Sequence, residues 1–194
     1  SFGATTLAPG ASTTFQVRFS ASANGTYTGQ LSFANGDSNE NPFNLTLQAT
    51  VSQATAIRIV DNADASYATT GTWSRWPTGG YQQDFQYALA GNGSSTASWT
   101  FDGLTPGQYR VSATWLGANT SASDSPFSVS DGSKLLGTVP VNQQSAPSGF
   151  SEAGVTWQDI GGPYNLTGNT LVVRLTNNAN AAVVADAIRI ERVV

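Results

Sequence analysis

The chain has 194 residues, of which only 10% are charged, and it contains no cysteine, histidine or methionine. Ordinary globular domains carry about 25% charged residues, so Ser, Thr, Asn and Gly must cover much of this surface, as is typical of exported bacterial proteins. The absence of cysteine excludes disulfides, thiolate metal sites and cysteine nucleophiles, and the absence of histidine removes the commonest catalytic base. The net charge of −4 with dispersed cations argues against nucleic acid as a partner.

The first part of the chain alternates apolar and polar residues with a period of two, which is the spacing of a half-buried β-strand. Residues 14–19 are the clearest example, with apolar side chains at Phe15, Val17 and Phe19. Two further alternating stretches follow, and turns rich in Asn and Gly separate them. Residues 1–52 are therefore predicted to form three or four strands of a sandwich.

A linker is predicted at residues 53–56, and the apolar stretches after it predict a larger β-sandwich or jelly roll over residues 57–194. These stretches are residues 56–60, 98–101, 108–115, 127–129, 135–141, 170–175 and 183–190. The first and the last of them both contain Ala-Ile-Arg-Ile. Because the two ends of a domain often lie close together, we expect these two strands to be neighbours.

Short motifs follow one another along residues 57–194. They are Ile59-Val60-Asp61-Asn62, Gly71-Thr72-Trp73, residues 107–111 followed by Trp115, residues 141–143, Trp157 with Ile160-Gly161, and residues 184–190. In order and spacing this series resembles the golvesin and xanthan-lyase carbohydrate-binding-like domain, a β-sandwich attached to secreted bacterial enzymes and surface proteins. The resemblance implies a noncatalytic extracellular module that binds polysaccharide or cell-wall glycan.

Residues 7–12, the alternating stretch that follows them, and residues 34–43 resemble the later half of an immunoglobulin-like domain of bacterial choice-of-anchor D surface proteins. The earlier strands of that family have no counterpart here. The resemblance implies a partial immunoglobulin-like sandwich that is either truncated or completed by another chain. In the second case Phe15, Val17 and Phe19 form the assembly edge of a surface fibre or sheath, joined by β-strand complementation.

Catalysis is not expected within these residues. The carboxylates are scattered singly through turns rather than gathered into a pair, and Lys134 is the only lysine. If the chain belongs to a hydrolase or lyase, we expect the activity to lie in other residues. No apolar run approaches the roughly 20 residues that span a bilayer, so membrane insertion is not expected either. Because Ser1 is not an initiator Met, we expect an interior or processed segment of a larger secreted protein.

Oxygen ligands for a hard cation cluster near the start of the second module. Asp61, Asn62 and Asp64 predict a Ca²⁺ site there. An earlier turn at residues 37–41 alternates oxygen-bearing side chains as an EF-hand loop does, but it lacks the required glycine, so it either holds a cation or caps its own turn. Asp186 lies in an apolar stretch, where a carboxylate needs a partner, and we expect an arginine or backbone N–H groups.

Aromatic residues suggest where a sugar binds. Trp73, Trp76 and Tyr81 lie close together in a Gly- and Thr-rich stretch that predicts a loop. They form either a platform for pyranose rings, whose C–H faces pack on aromatic rings, or a lid over the core. The remaining tryptophans lie in or beside predicted strands and are expected in the core: Trp99, Trp115 and Trp157.

Overall fold

The computed structural model of this chain describes four stretches: residues 6–19, 25–39, 41–51 and 56–193. The chain divides into two compact units, residues 1–54 and residues 55–194. The described residues form β-strands, turns and one short 3₁₀ turn at Tyr81–Gln83, without an α-helix. None of their helical segments has the length and apolar character needed to cross a lipid bilayer. The chain is therefore all-β, as its sequence predicts.

In the first unit, strands β1 (Gly25–Phe33) and β2 (Phe43–Val51) form an antiparallel hairpin. Leu31 lies opposite Leu45, and Phe33 lies opposite Phe43. The two alternating stretches that follow residue 19 are thus strands, as predicted.

Residues 14–19 do not form a strand, and here the sequence prediction is wrong. The Phe15 ring packs against Phe33 with 6.2 Å between centroids, and the Phe19 ring lies 5.4 Å from Tyr27. Alternating apolar residues indicate that one side of a segment packs against a neighbour. Here the aromatic rings make that contact, while the backbone of residues 14–19 does not pair with another strand.

The described part of the second unit contains fourteen strands. They are β3 (Ile57–Val60), β4 (Tyr67–Thr70), β5 (Ser74–Trp76), β6 (Phe85–Ala88), β7 (Thr96–Phe101), β8 (Gly107–Ala113), β9 (Ser125–Asp131), β10 (Lys134–Val141), β11 (Phe150–Glu152), β12 (Val155–Asp159), β13 (Tyr164–Leu166), β14 (Leu171–Thr176), β15 (Val183–Ala185) and β16 (Ile188–Val193).

These strands pair in three antiparallel sheets. A five-stranded sheet has the order β10-β9-β14-β7-β4, and a six-stranded sheet has the order β11-β12-β8-β16-β3, with β13 also paired to β8. The third sheet has the order β15-β6-β5. Side chains of the two larger sheets share one hydrophobic core, which is the sandwich that the sequence predicts.

The core follows directly from strand alternation. Along β7 every second residue is buried, including Trp99 and Phe101, and β14 shows the same pattern. Trp115 and Trp157 are also buried, at 3% and 0% exposure. The predicted core position of all three strand tryptophans is therefore confirmed.

The two strands that share Ala-Ile-Arg-Ile are neighbours, as predicted. β3 pairs with β16, with Val60 opposite Ile188 and Arg58 opposite Ile190. The predicted stretch 183–190, however, is two strands rather than one, because the chain leaves the three-stranded sheet after β15 and joins the six-stranded sheet as β16.

Replacing Ile190 by alanine should be strongly destabilising, because its side chain is 0% exposed in the closing strand of the core. Loss of the buried methylenes and the cavity left behind should lower the free energy of unfolding by about 2–5 kcal/mol. Ile57→Ala is the matched control, since Ile57 is on the paired strand but is 41% exposed, and its loss should stay below about 1 kcal/mol. Denaturant unfolding measures both, and equal losses would contradict this account of the core.

Candidate functional site

Four polar side chains are buried in connections between strands of the second unit, and we call them the crossover cluster: Asp61, Asn62, Asp84 and Asp186. Asp61 and Asn62 follow β3 and precede β4 of the other large sheet, Asp84 precedes β6, and Asp186 separates β15 from β16. Their exposures are 0%, 6%, 5% and 1%. Polar groups this deep require partners.

Two members of the crossover cluster have well-defined hydrogen bonds. The Asp84 Oδ2 atom accepts from Arg75 Nε at 2.6 Å and from Asn62 Nδ2 at 3.1 Å. Both carboxylate oxygens of Asp186 accept the backbone N–H of Tyr81 at 3.1 Å. The expectation that backbone N–H pairs with Asp186 is therefore confirmed.

The other two members carry oxygens without donors. Both carboxylate oxygens of Asp61 and the Oδ1 atom of Asn62 are buried and have no hydrogen-bond partner among the described residues. The Asn62 amide is oriented by its donation to Asp84, so its oxygen faces away from that carboxylate. Three buried acceptor atoms thus lack a well-formed hydrogen bond, although the backbone N–H groups of Asn62 and Ala63 lie near the Asp61 carboxylate.

Burial and mutual repulsion hold protons on this cluster. Desolvation raises the pKa of Asp186 to about 8, against the lowering effect of the Tyr81 N–H, and the charges of Asp61 and Asp84 raise it further. Desolvation also raises the pKa of Asp61 to about 6, against the lowering effect of the Asn62 and Ala63 backbone N–H groups, and the charges of Asp84 and Asp64 raise it further. The cluster is therefore electrostatically coupled, because each ionised carboxylate disfavours the next.

Gly80 is required by this arrangement. Its φ angle is 76°, and a Cβ atom would lie 2.6 Å from Asp186 Oδ2 and 2.9 Å from the Asp84 carbonyl oxygen. Only glycine fits there, and its backbone brings the next residue's N–H onto the Asp186 carboxylate.

The residues predicted to bind calcium do not act as a set. Asp61 and Asn62 are buried, whereas Asp64 is exposed and its Oδ2 atom accepts the backbone N–H of Asp61 at 2.8 Å. Across the described ranges, no three acidic side chains converge closely enough to hold a metal by themselves. In the earlier turn, the Asp37 carboxylate accepts the N–H of Asn39 at 3.2 Å, as expected for a carboxylate that caps its own turn.

The predicted aromatic platform is not one flat surface. Trp76 is 49% exposed and stacks against Phe85 with 6.4 Å between centroids. Trp73 is half-buried against the core, and the ring of Tyr81 packs against Trp157 at 5.8 Å. Of the three side chains, Trp76 alone lines the cleft described next.

A cleft of about 650 Å³ opens beside the three-stranded sheet, and we call it the Trp76 cleft. Its walls are mainly apolar, and Leu89 and Leu116 are 72% and 45% exposed there. A smaller cavity of about 420 Å³ shares Tyr87 and Leu89 with it and is lined by more polar residues. The walls of the cleft are Trp76, Phe85, Tyr87, Leu89, Ala90, Leu116, Ala118, Thr120, Ser121, Ala182 and Val184.

Sequence reasoning missed most of this cleft. Leu89 and Leu116 lie just after β6 and β8, and nothing in the sequence distinguishes an exposed loop leucine from a buried one. The predicted assembly edge lies in the first unit, where Phe15, Val17 and Phe19 are 37%, 53% and 47% exposed.

Comparison with known proteins gives one family match and several structures with a similar fold. The family described as the Golvesin C-terminal domain matches residues 58–192. A xanthan lyase from Paenibacillus is 26% identical with a TM-score of 0.61 over 79% of this chain. The match covers 14% of that enzyme, so this chain is similar to a small part of it.

Two less similar structures are an enzyme and a module of another enzyme, both named for polysaccharides. An exo-beta-1,3-galactanase from Phanerochaete chrysosporium is 13% identical with a TM-score of 0.49, over 79% of this chain and 35% of the enzyme. The C-terminal CBM6 of the laminarinase LamC from Zobellia galactanivorans is 14% identical with a TM-score of 0.45, over 71% of this chain and 100% of the module. No curated protein sequence matches the chain significantly.

In the presence of a chelator, the stability of the second unit should fall as the pH rises from about 4 to about 8. The pKa of Asp186 is raised from 3.8 to about 8, so the folded state binds its proton more tightly than the unfolded state and loses that advantage as the pH rises. Chemical unfolding at several pH values measures the effect, which should amount to several kilocalories per mole.

Asp186→Asn should flatten this pH dependence. Asp131→Asn is the control, because Thr167 and Gly168 lower the pKa of that exposed carboxyl, and its stabilising contribution is lost only as the solution becomes strongly acidic. A slope between pH 4 and 8 that survives in Asp186→Asn would contradict this assignment.

Proposed function

This chain belongs to the family of the Golvesin C-terminal domain, and we propose that it is a noncatalytic extracellular module that binds polysaccharide in the Trp76 cleft. The similarity to part of a xanthan lyase supports a polysaccharide as the ligand, since that relative is named for one. The single observation that carries the proposal is a large apolar cleft with a half-exposed tryptophan in its wall.

Trp76 has the properties of a sugar-stacking residue. Its ring is half-exposed, so a pyranose can reach its face, and stacking on Phe85 fixes its orientation. An aromatic side chain that is already fixed loses little conformational entropy on binding. Tyr87 adds a second aromatic wall to the same cleft.

The chemistry of the walls favours a neutral stretch of polysaccharide. All eleven residues that line the cleft are uncharged. Thr120 and Ser121 provide hydroxyls within it, and the adjoining cavity adds Thr72, Ser74 and Ser94. Such groups exchange hydrogen bonds with sugar hydroxyls, whereas a carboxylate-bearing sugar would lose its hydration without gaining a cation. The same walls contain no carboxylate, and Tyr87 is the one titratable side chain among them.

A second candidate function is assembly into a surface fibre through the first unit. The favouring observation is that its described residues form only a two-stranded hairpin, while apolar side chains beside it remain exposed. An isolated hairpin is marginal in water, and further strands or another surface normally complete it. The exposed apolar residues of this unit are Leu7, Phe15, Val17, Phe19, Tyr27, Phe43 and Leu45.

Trp76→Ala should weaken polysaccharide binding about two- to tenfold, because stacking on an aromatic ring contributes about 0.5–1.5 kcal/mol. A glycan array first identifies a neutral glycan that the parent binds, and calorimetric titration then compares affinities. Tyr81→Ala is the matched aromatic control, since Tyr81 lies outside the cleft. The cleft would be ruled out as the binding site if Trp76→Ala kept full affinity or if both variants lost it equally.

Val17→Lys should reduce self-association of the chain, because Val17 is 53% exposed and a lysine there would lose its hydration when another chain covers this apolar surface. Light scattering over a concentration series compares the variant with the parent. Leu135→Lys is the control, since Leu135 is 60% exposed in the second unit. A parent that stays monomeric at all concentrations would exclude the assembly function.

A further inference from the structure

The crossover cluster gathers three buried carboxyl groups, and among the described residues one cation, Arg75, forms an ion pair with one of them. Asp61, Asp84 and Asp186 are all buried, and Arg75 is the cation that pairs with one of them, through Asp84 Oδ2. No ion pair reaches Asp61 or Asp186 within the part of the chain that the structure describes. Two buried carboxylates thus lack a counter-charge.

The crossover cluster also contains buried oxygen atoms that lack a well-formed hydrogen bond, namely the two carboxylate oxygens of Asp61 and the amide oxygen of Asn62. Asp61 is fully buried and Asn62 is 94% buried, and their three acceptor atoms have no partner among the described residues. Asn62 is tied to Asp84 by a hydrogen bond, and Gly80 packs against both the Asp186 carboxylate and the Asp84 carbonyl oxygen. Buried charge of this kind persists when paired or when it coordinates a metal.

We infer that the crossover cluster binds one Ca²⁺ ion through the side chains of Asp61, Asn62 and Asp186. The two unpaired carboxylates would balance its charge, while Arg75 already balances Asp84. The chain has no histidine or cysteine, so the available ligands are oxygens, which suit a hard cation. Calcium accepts irregular mixtures of carboxylate, amide, carbonyl and water ligands, whereas magnesium demands a near-ideal octahedron.

This ligand set differs from the one that sequence predicts. Asp64 is replaced by Asp186, which lies 125 residues after Asp61 in the chain. Asp64 becomes a positioning residue, because its carboxylate accepts the Asp61 N–H and closes the turn. An ion held this way would join the β3–β4 crossover to the β15–β16 crossover, and so tie the start of the domain to its end.

The test uses Tb³⁺ and Ca²⁺ with the whole chain. Trp99 donates its Nε1–H to the Asp186 carbonyl oxygen at 3.0 Å, and Tyr67 packs against Trp99 at 5.3 Å, so both can sensitise bound Tb³⁺. We expect Tb³⁺ luminescence that Ca²⁺ displaces at a stoichiometry of one. Calcium at about 100 times its Kd should raise the melting temperature by about 5–10 °C relative to EDTA, and Mg²⁺ should raise it less.

The variants separate ligands from positioning residues. Asp61→Asn and Asp186→Asn should each lose the luminescence and the calcium-dependent shift. In EDTA they should be as stable as the parent or more stable, because each removes buried charge. Asp64→Asn should retain the luminescence, although with weaker affinity. The assignment is overturned if the parent shows neither signal, if Asp61→Asn keeps the calcium shift, or if Mg²⁺ stabilises equally.

Discussion

The passage of the chain from one sheet to another at Asp186 is the constraint on which the second unit depends. The Asp186 carbonyl oxygen accepts the Trp99 indole N–H at 3.0 Å, and its carboxylate accepts the Tyr81 N–H. The carbonyl of Ala187 then accepts the N–H of Thr114 at 3.1 Å. The connection between β15 and β16 therefore holds three parts of the fold in place: a core tryptophan of β7, the turn before β6 and the end of β8. Burial of the Asp186 carboxyl costs desolvation free energy, but its backbone and its side chain both accept hydrogen bonds that hold this connection in place.

The same connection shapes the Trp76 cleft through β15. Val184 lines the cleft opposite Tyr87 of β6, and on its other side it pairs with a side chain instead of a strand. The buried Gln143 amide donates to the Val184 carbonyl oxygen and accepts the Val184 N–H, each at 2.8 Å. An amide side chain thus reproduces the hydrogen bonds of a neighbouring strand. These two hydrogen bonds hold the backbone of this part of the cleft wall in place, which favours a binding site that is formed before its ligand arrives.

Sequence patterns predicted the strands whose side chains alternate regularly between buried and exposed, and the pairing of the domain's first and last strands. β7 and β14 could be predicted because their alternation reflects burial on one face, and the β3–β16 pair because the two ends of a domain often lie close together. The break at Asp186 could not, since nothing in an apolar run says that its two halves join different sheets. Nor could the crossover cluster, because its members become neighbours only after the sheets have formed. Six strands were missed because none of them is long enough to show a clear alternation: β4, β5, β6, β11, β12 and β13.

The low charge of this protein also has a consequence inside it. Asparagine was among the residues expected to cover the surface, yet Asn177 is buried, as is Gln143, and both side chains take the place of backbone hydrogen-bonding groups. The Asn177 amide oxygen accepts the N–H groups of Gly93 and Ser95, and its nitrogen donates to the Leu89 carbonyl oxygen at 3.0 Å. Leu89 is thereby held at the edge of the cleft by neutral hydrogen bonds, which salt does not screen as it screens surface ion pairs. A cleft with uncharged walls, supported by uncharged amides, should therefore keep its shape over a wide range of ionic strength.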